Sequence, residues 1–280
     1  MTQLDLAHLE QWIGKVQKDQ DLLSARHARL MAATVGIPGE GLVGGAPLPP
    51  LWHWIFFLEG QPPQSLGRDG HPARGGFLPP VPLSNRMWAG GRLEFHEPLR
   101  IDSVVEKTSQ VVSIQHKQGR SGDLVFVSVL HELSAGGKLA IREIHDIVYK
   151  EATPPGAKKE KLIAPGIATH SRRFKPDSTT LFRYSALTFN GHRIHYDADY
   201  CRQVEGYPDL VIHGPLHATL LANYAEEVAG KALKRFEYRG LQPSFLGEQL
   251  SINARPGDEG LLLWTALADG QPAMKAEASF

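Results

Sequence analysis

Four side chains suited to acid–base chemistry lie close together in the second half of the chain. Asn190, His192, His195 and Asp197 fall within eight residues, in the stretch TFNGHRIHYD. An unperturbed imidazole titrates nearer to neutral pH than other side chains, so a histidine can take up a proton and return it. The cluster predicts a proton-transfer site at a turn that follows a predicted strand over 181–188.

A second feature lies about twenty residues further along, in VIHGPL. Gly214 stands where a long helix is predicted to begin, and the free N–H groups and dipole at a helix N-terminus favour a developing negative charge. Pro215 has no N–H, which leaves Gly214 as the useful donor. An imidazole base beside an amide donor suits a reaction through an enolate, because the base moves a proton while the donor holds the carbonyl oxygen.

The same part of the chain allows a metal site as an alternative. The residues of suitable type are His192, His195, Asp197, His213 and His217. However, the HExxH spacing of a helical zinc site is missing, and the single cysteine, Cys201, offers neither a cysteine pair for zinc nor an internal disulfide. The sequence therefore favours a proton-transfer site over a metal site.

The elements that must position these residues follow a pattern that is similar in the two halves of the chain. The first 35 residues show helical spacing of apolar side chains, and a short apolar element, LWHWIFFL, is predicted to be core or the lining of an acyl tunnel. Strands are predicted over 91–100, 104–117, 123–133 and 138–150, then 181–188, 234–238, 249–254, 260–268 and 273–280, with a helix over 210–228. A proline-containing, charged linker over 151–164 separates the halves. A helix wrapped by antiparallel strands satisfies both halves, and two such units could continue one sheet.

Composition narrows the class of protein. The 280 residues carry 30 basic and 30 acidic side chains, which argues against a partner such as nucleic acid or an anionic membrane. No apolar run approaches the roughly 20 residues that span a bilayer. The N-terminal stretch is acidic and lacks the apolar core of a signal peptide, so the expected location is the cytoplasm.

The residues quoted above resemble the hot-dog hydratases of the MaoC type. The motif of that family is an Asp, any residue, Asn-Pro, any residue and His, with a later His-Gly at the start of the hot-dog helix. By position His195 matches the catalytic histidine, and Gly214 matches the glycine whose N–H holds the thioester oxygen. The motif's Asp falls on Asn190, its Asn on His192 and its Pro on Arg193. An amide cannot accept a proton at neutral pH, so the resemblance leaves the proton work to His195, while Asn190 can position a water molecule.

The chain is more closely similar to the subfamily with two hot-dog units, which includes type 2 hydroxyacyl-thioester dehydratases and the itaconyl-CoA and mesaconyl-CoA hydratases. The segments that carry this resemblance are RMWAGGRLEF in the first half and FRYSALTFNGHRIHYD in the second. It implies an α+β double hot-dog with two long helices, each wrapped by antiparallel sheet. Residues 1–155 would form a non-catalytic, substrate-binding hot-dog domain with a helical N-terminal extension, and residues 156–280 a second domain with the hydratase site.

By this resemblance the chain is a hydro-lyase that adds water reversibly to an enoyl-CoA thioester, most simply itaconyl-CoA or mesaconyl-CoA. A 3-hydroxyacyl-thioester dehydratase, an acyl-CoA thioesterase and a non-catalytic acyl-CoA binding module remain alternatives. No cofactor and no metal are expected, since CoA is part of the substrate. Whether the chain forms a homodimer stays open.

Several further residues have two interpretations each. His192, His213 and Asp197 either support the catalytic histidine or serve the local structure. Candidates for binding a substrate carboxylate or the CoA phosphates are Arg86, Arg92, Arg183 and Arg193, because a guanidinium matches a carboxylate through two hydrogen bonds. Each of these arginines is equally open to a surface ion pair.

Overall fold

A ten-stranded antiparallel sheet forms the framework of the computed structural model, which describes residues 4–119, 122–151 and 161–280. The strands are β1 (Val16–Leu22), β2 (Asn85–Phe95), β3 (Val104–Gly119), β4 (Gly122–Ala135), β5 (Lys138–Lys150), β6 (His170–Phe174), β7 (Arg235–Gly240), β8 (Leu250–Pro256), β9 (Leu261–Ala266) and β10 (Pro272–Ser279). Their order across the sheet is β1-β3-β4-β5-β2-β7-β10-β9-β8-β6. The domain boundary predicted after residue 155 lies outside the described residues.

The two halves meet where β2 pairs with β7, so the prediction that two units continue one sheet is confirmed. Gly90 and Gly91 of β2 lie against Tyr238 of β7. A Cβ on Gly90 would come within 2.5 Å of the Tyr238 carbonyl oxygen, and one on Gly91 within 2.7 Å of its hydroxyl. Glycine is needed at both positions because the strands of the two halves approach so closely there.

The longest helix of the described residues crosses the C-terminal half of the sheet. The α-helices are α1 (Leu6–Glu10), α2 (Ala25–Val35), α3 (Ser178–Leu187), α4 (Ala198–Tyr200) and α5 (Gly214–Ala229). Helix α5 packs against β7 to β10, buries Leu216 and Leu221, and ends at Gly230, whose φ of 62° glycine adopts without strain. The prediction of two long helices is wrong for the N-terminal half, where the described helices have 11 residues or fewer.

The N-terminal extension is only partly helical. Residues 16–22 form the edge strand β1, which pairs with β3 through its backbone. Its polar side chains alternate between exposed and partly buried positions, and charged side chains are typical of a protected sheet edge. The apolar spacing that predicted one helix over the first 35 residues therefore belongs to α1, α2 and their flanks.

The segment predicted as a strand over 181–188 is helix α3. Asp177 caps this helix, because its carboxylate accepts a hydrogen bond from the N–H of Thr180 at 2.8 Å. Leu181, Tyr184 and Leu187 recur at helical spacing and are buried, and α3 packs against α2. The aromatic and β-branched side chains that favoured a strand thus serve a helix–helix contact.

Shorter turns complete the framework that positions the site. The 3₁₀ turns are Trp52–Ile55, Pro63–Ser65 and Arg193–His195, and a π-helical turn, Cys201–Glu205, follows α4. Trp52, Ile55 and Phe56 are buried, which confirms the core assignment of LWHWIFFL, whereas Trp54 is only partly buried. None of the helices described here is long and apolar enough to cross a membrane.

Candidate active site

His195 is buried at the end of the 3₁₀ turn Arg193–His195, with 6% of its surface exposed. Its Nδ1 lies 2.7 Å from the carbonyl oxygen of Val211. A carbonyl can only accept, so Nδ1 carries the hydrogen and the Nε2 lone pair is left free. Burial lowers the pKa of His195 to about 4. The imidazole is therefore neutral at pH 7, the form in which it can act as a base.

The ring of His213 connects His195 to the start of helix α5. The two imidazoles stack with centroids 3.6 Å apart and planes 17° from parallel. His213 Nε2 lies 2.8 Å from Ser185 Oγ, and burial holds the pKa of His213 well below its usual value. Because Gly214 directly follows His213, the stack places the candidate base beside the N-terminus of α5.

Gly214 offers a free backbone donor at this helix start. The Leu216 N–H donates to the His213 carbonyl at 3.1 Å, and Pro215 has no N–H. Within the described parts of the chain, the Gly214 N–H has no hydrogen-bond acceptor. The helix start thus presents one unpaired amide, next to the neutral imidazole of His195.

Asn190 and His192 shape the turn that leads to His195. The Asn190 Oδ1 accepts a hydrogen bond from the backbone N–H of His192 at 3.0 Å. The His192 ring meets the His195 ring edge-on, with centroids 5.5 Å apart. Burial lowers the pKa of His192, so its ring is neutral as well. The Asn190 carboxamide is therefore used in the turn through its oxygen, while its amide group stays available to a water molecule.

Asp197 and Arg193 are engaged with each other on the outer side of this turn. The Arg193 guanidinium lies 2.7 Å from the Asp197 carboxylate and stacks over the ring of Tyr200 at 4.2 Å. Asp197 also caps α4 by accepting from the N–H of Tyr200. The structure thus gives both residues local structural partners and leaves them no free charge for a substrate.

Of the three remaining candidate arginines, Arg86 is the one that lies near the imidazole cluster. Arg92 forms an ion pair with Asp146 at 3.0 Å, and Arg183 is exposed on α3. Arg86 is half-buried on β2, and its charge lowers the pKa values of His71 and His192, although burial is the larger cause for both.

The position of Arg86 on β2 relates it to the start of α5. Residues two apart on a strand share a face, so Arg86 and Trp88 face the same side of the sheet. The Cβ of Trp88 lies 3.8 Å from where a Cβ of Gly214 would stand. No carboxylate of the described residues forms an ion pair with Arg86. The site thus contains a half-buried guanidinium without an acidic partner.

Aromatic rings form the wall next to Gly214. Trp88 stacks on His145 with ring centroids 3.8 Å apart, meets Trp54 edge-on at 5.2 Å, and donates its Nε1–H to the Tyr238 hydroxyl at 2.6 Å. His145 Nε2 is buried without a hydrogen-bond partner among the described residues, and burial lowers the pKa of this imidazole to about 4. Trp54 thus contacts this aromatic wall through Trp88, and the alternative that it lines an acyl tunnel stays a prediction.

Asp69 and His71 belong to the same cluster, although the Gly- and Pro-rich segment around them predicts only a loop. Asp69 Oδ2 lies 3.2 Å from His71 Nδ1, and the rings of His71 and His192 have centroids 4.2 Å apart. The ligand atoms of Asp69, His71 and His192 all lie within 4.8 Å of one another, so these side chains could also hold a metal ion. The spacing Asp-Gly-His was the available signal, but nothing local in the sequence connects it to residue 192.

Other proteins share this architecture and much of this sequence. The family model of hydroxyacyl-thioester dehydratase type 2 matches residues 51–246. Mesaconyl-C(4)-CoA hydratase of Chloroflexus aurantiacus is 41% identical over 266 residues, which cover 95% of each chain. The mitochondrial hydroxyacyl-thioester dehydratase type 2 of Schizosaccharomyces pombe is 31% identical over 232 residues, 73% of this chain and 77% of that protein.

Solved structures of low sequence identity confirm the fold. A MaoC-like dehydratase from Phytophthora capsici superposes with a TM-score of 0.75 at 14% identity, over 99% of this chain and 98% of that one. A Mycobacterium tuberculosis protein described as a double hot-dog superposes with a TM-score of 0.57 at 13% identity, over 95% of each chain. The sheet and helix α5 are thus those of a hot-dog protein, and the related enzymes are hydratases and dehydratases, that is, hydro-lyases. The chain belongs to the hydroxyacyl-thioester dehydratase type 2 family of MaoC-like hot-dog proteins.

Proposed function

We propose that this hydro-lyase adds water reversibly to the double bond of a short, branched, dicarboxylic enoyl-CoA thioester. Itaconyl-CoA or mesaconyl-CoA would be converted to citramalyl-CoA. The proposal is supported by the 41% identity with a mesaconyl-C(4)-CoA hydratase and by the guanidinium of Arg86, which has no acidic partner among the described residues. Of these two, the position of Arg86 is the observation on this chain that carries the choice of a dicarboxylic substrate.

The hydration step uses His195 as a base. Its Nε2 takes a proton from a water molecule that the Asn190 amide helps to hold, and the water oxygen forms a bond to the β-carbon. When the double bond is conjugated with the thioester carbonyl, as in the C4 thioester of mesaconate, its electron pair moves toward the carbonyl, and the Gly214 N–H holds the resulting enolate oxygen. The C4 thioester of itaconate reaches this conjugated form when a proton is moved from its α-carbon to its terminal methylene carbon. The imidazolium of His195 then returns the proton to the α-carbon, so that one water molecule has been added and the base is regenerated.

Arg86 is proposed to bind the second carboxylate of the acyl group. A guanidinium offers a carboxylate two parallel, charge-assisted hydrogen bonds, and these are stronger when they are shielded from water. Arg86 is half-buried beside three imidazoles that burial keeps neutral, namely those of His71, His145 and His192. Neutral rings leave its positive charge uncompensated, which favours an anionic group of the substrate at this point.

A 3-hydroxyacyl-thioester dehydratase of fatty-acid metabolism is the second candidate. The 31% identity to the Schizosaccharomyces pombe enzyme favours it, and so does the aromatic wall of Trp54 and Trp88, which suits an apolar acyl chain. A thioesterase fits this site less well. Glu226 and Glu227 lie near the far end of α5, about 18 Å from Gly214 at 1.5 Å per residue. Glu226 accepts from the Leu233 N–H, and Glu227 pairs with Arg172.

The test is a turnover comparison between dicarboxylic and monocarboxylic enoyl-CoA thioesters of similar length, with Arg86→Gln and Arg92→Gln as matched variants. Loss of a charge-assisted hydrogen bond costs about 1.5–3 kcal/mol. Arg86→Gln should therefore lower kcat/KM for mesaconyl-CoA or itaconyl-CoA by about 10- to 100-fold and change crotonyl-CoA turnover little. Arg92→Gln, which affects the same strand but an exposed ion pair, should stay within about threefold. Faster turnover of long-chain 3-hydroxyacyl thioesters, or release of free CoA thiol, would contradict the proposal.

A further inference from the structure

The hydratase motif of this chain lacks its carboxylate, because the position of the motif's Asp is occupied by Asn190. A carboxamide has no basic oxygen at neutral pH, so it cannot hold a water molecule through a charged acceptor. The structure nevertheless places a carboxylate near this turn. It belongs to Asp69, which comes from the N-terminal half of the chain and lies more than 100 residues earlier.

The loop of Asp69 is fastened to the motif turn by backbone contacts. The Asp69 carbonyl accepts a hydrogen bond from the Arg193 N–H at 2.9 Å. Gly70 lies directly against the backbone of Gly191, where a Cβ on Gly70 would overlap the Gly191 carbonyl oxygen. The φ of Gly70 is +85°, which glycine adopts without strain. These contacts hold the two loops in a fixed register, so the carboxylate is part of a defined arrangement.

Asp69 sets the hydrogen position on His71. Its Oδ1 accepts from the His71 backbone N–H at 3.1 Å, and its Oδ2 lies 3.2 Å from His71 Nδ1. An ionised carboxylate can only accept, so Nδ1 carries the hydrogen and Nε2 has the free lone pair. Burial raises the pKa of Asp69, but the hydrogen bonds that the His71 ring and backbone donate lower it and keep the carboxyl ionised. Burial lowers the pKa of His71, so its ring is neutral.

The free nitrogen of His71 lies in the cluster that includes the candidate base. The His192 ring contacts both of these imidazoles, with centroids 4.2 Å from His71 and 5.5 Å from His195. His71 and His195 therefore each present an unprotonated Nε2 in one cluster of imidazoles, in which His195 is buried and His71 and His192 are partly buried.

We propose that the Asp69–His71 pair replaces the carboxylate that the motif lacks at Asn190. His71 Nε2 and His195 Nε2 accept the two hydrogens of the attacking water, which turns an oxygen lone pair toward the β-carbon. His195 takes the proton and later returns it, while His71 only orients the water. Asp69 is a positioning residue, because it acts through the hydrogen position on His71. The inference rests on the proposed hydratase function and makes the site a product of both halves of the chain.

The first test is Asp69→Asn. The new side chain keeps an oxygen for the His71 backbone N–H but offers an N–H to Nδ1, which moves the ring hydrogen to Nε2 and removes the acceptor. We expect kcat to fall by about 10²-fold, as for loss of a group that assists proton transfer, with KM changed less than about threefold. Nitrogen-15 NMR should show His71 with hydrogen on Nδ1 in the parent and on Nε2 in the variant. The NMR signal tests the hydrogen position on His71, and the fall in kcat at little-changed KM tests whether the reaction depends on it.

A second variant restores the carboxylate at its motif position. Asn190→Asp in the Asp69→Asn background keeps the oxygen that accepts from the His192 N–H. The kcat of this double variant should be at least about tenfold higher than that of Asp69→Asn. Asp209→Asn, a matched change at an aspartate that pairs with Arg202 at 3.4 Å, should leave kcat within about threefold. A kcat of Asp69→Asn within threefold of the parent, an unchanged His71 signal, or no recovery in the double variant overturns the inference.

The outcome of this test is separable from that of the proposed function. If His195→Gln is inactive and Asp69→Asn is fully active, the hydratase function stands and the role of Asp69 is wrong. If the parent protein hydrates no enoyl-CoA thioester, the proposed function fails, and the inference that rests on it fails as well. Activity that is lost on chelation and restored by a divalent ion would show a metal at these side chains and would also overturn the inference.

Discussion

Replacing Gly214 by proline removes the backbone N–H that the proposed mechanism uses to hold the enolate oxygen. Gly214 is the first residue of α5, where proline is well accommodated. The preceding residue, His213, has φ −60° and ψ 127°, an extended conformation that is compatible with a following proline. The backbone should therefore accept Gly214→Pro, and the variant should fold.

The expected loss of activity follows from the number of donors at the helix start. Pro215 has no N–H and the Leu216 N–H is already used by His213, so no second amide can replace that of Gly214. Loss of a single oxyanion donor raises the barrier by about 2.7–4 kcal/mol, which corresponds to about a 10²- to 10³-fold fall in kcat. Gly214→Ala keeps the N–H and adds a Cβ at an ordinary contact of 3.8 Å from Trp88, so it should stay within about threefold.

The assay is the initial rate of enoyl-CoA hydration, followed by loss of the conjugated double bond. Thermal unfolding of the parent and both variants shows whether the fold is unchanged. The reasoning is refuted if Gly214→Pro folds and retains a kcat within threefold of the parent. It is equally refuted if Gly214→Ala, which keeps the donor, loses as much activity as Gly214→Pro.

Two further predictions concern pH. The base must be neutral, and burial lowers the pKa of His195 to about 4. We therefore expect kcat/KM to stay level from pH 7 to about 5 and to fall tenfold per pH unit below about 4. A fall that begins near pH 6.5 would show an unperturbed histidine instead. Burial also lowers the pKa of His217 to about 4, so the unfolded chain binds a proton there between pH 6.5 and 4 that the folded chain does not, and the free energy of unfolding should decrease as pH falls through this range. His217→Gln should reduce that slope by up to about 1.4 kcal/mol per pH unit in denaturant titrations, and an unchanged slope would contradict the assignment.

The sequence predicts best where one short segment carries the whole signal. Strands β2 to β5 and β7 to β10 are predicted from the sequence because their apolar side chains alternate and glycines separate them. Local residue types likewise predict the turn that carries His195 and the helix start at Gly214. In the structure the His213 ring joins them, since it stacks on His195 and directly precedes Gly214.

Local patterns failed where tertiary contacts decide the structure. Helix α3 has the aromatic and β-branched residues of a strand, but capping by Asp177 and packing on α2 make it helical. The sequence predicts a helix where strand β1 lies. This strand is polar, since a strand at the edge of a sheet pairs with only one neighbour and needs no apolar face. The prediction of a long helix in the N-terminal half also failed because of tertiary contacts. Shorter segments cover that half of the sheet instead.

The contribution of the N-terminal half to the site could not be predicted from one sequence. Asp69 and His71 lie in a segment whose glycines and prolines indicated only a loop, and their contact with His192 spans more than 100 residues. Arg86 was one of four arginine candidates with nothing to rank them. Its half-buried place between neutral imidazoles distinguishes it, and that is a property of the packed sheet.

The most direct measurement is the kcat of His195→Gln with the dicarboxylic enoyl-CoA that the parent hydrates fastest. The glutamine amide can still donate to the Val211 carbonyl, but it has no basic nitrogen. The account predicts that kcat falls by at least about 10²-fold while the protein remains folded. A folded His195→Gln protein that hydrates this substrate at the parent rate would contradict it.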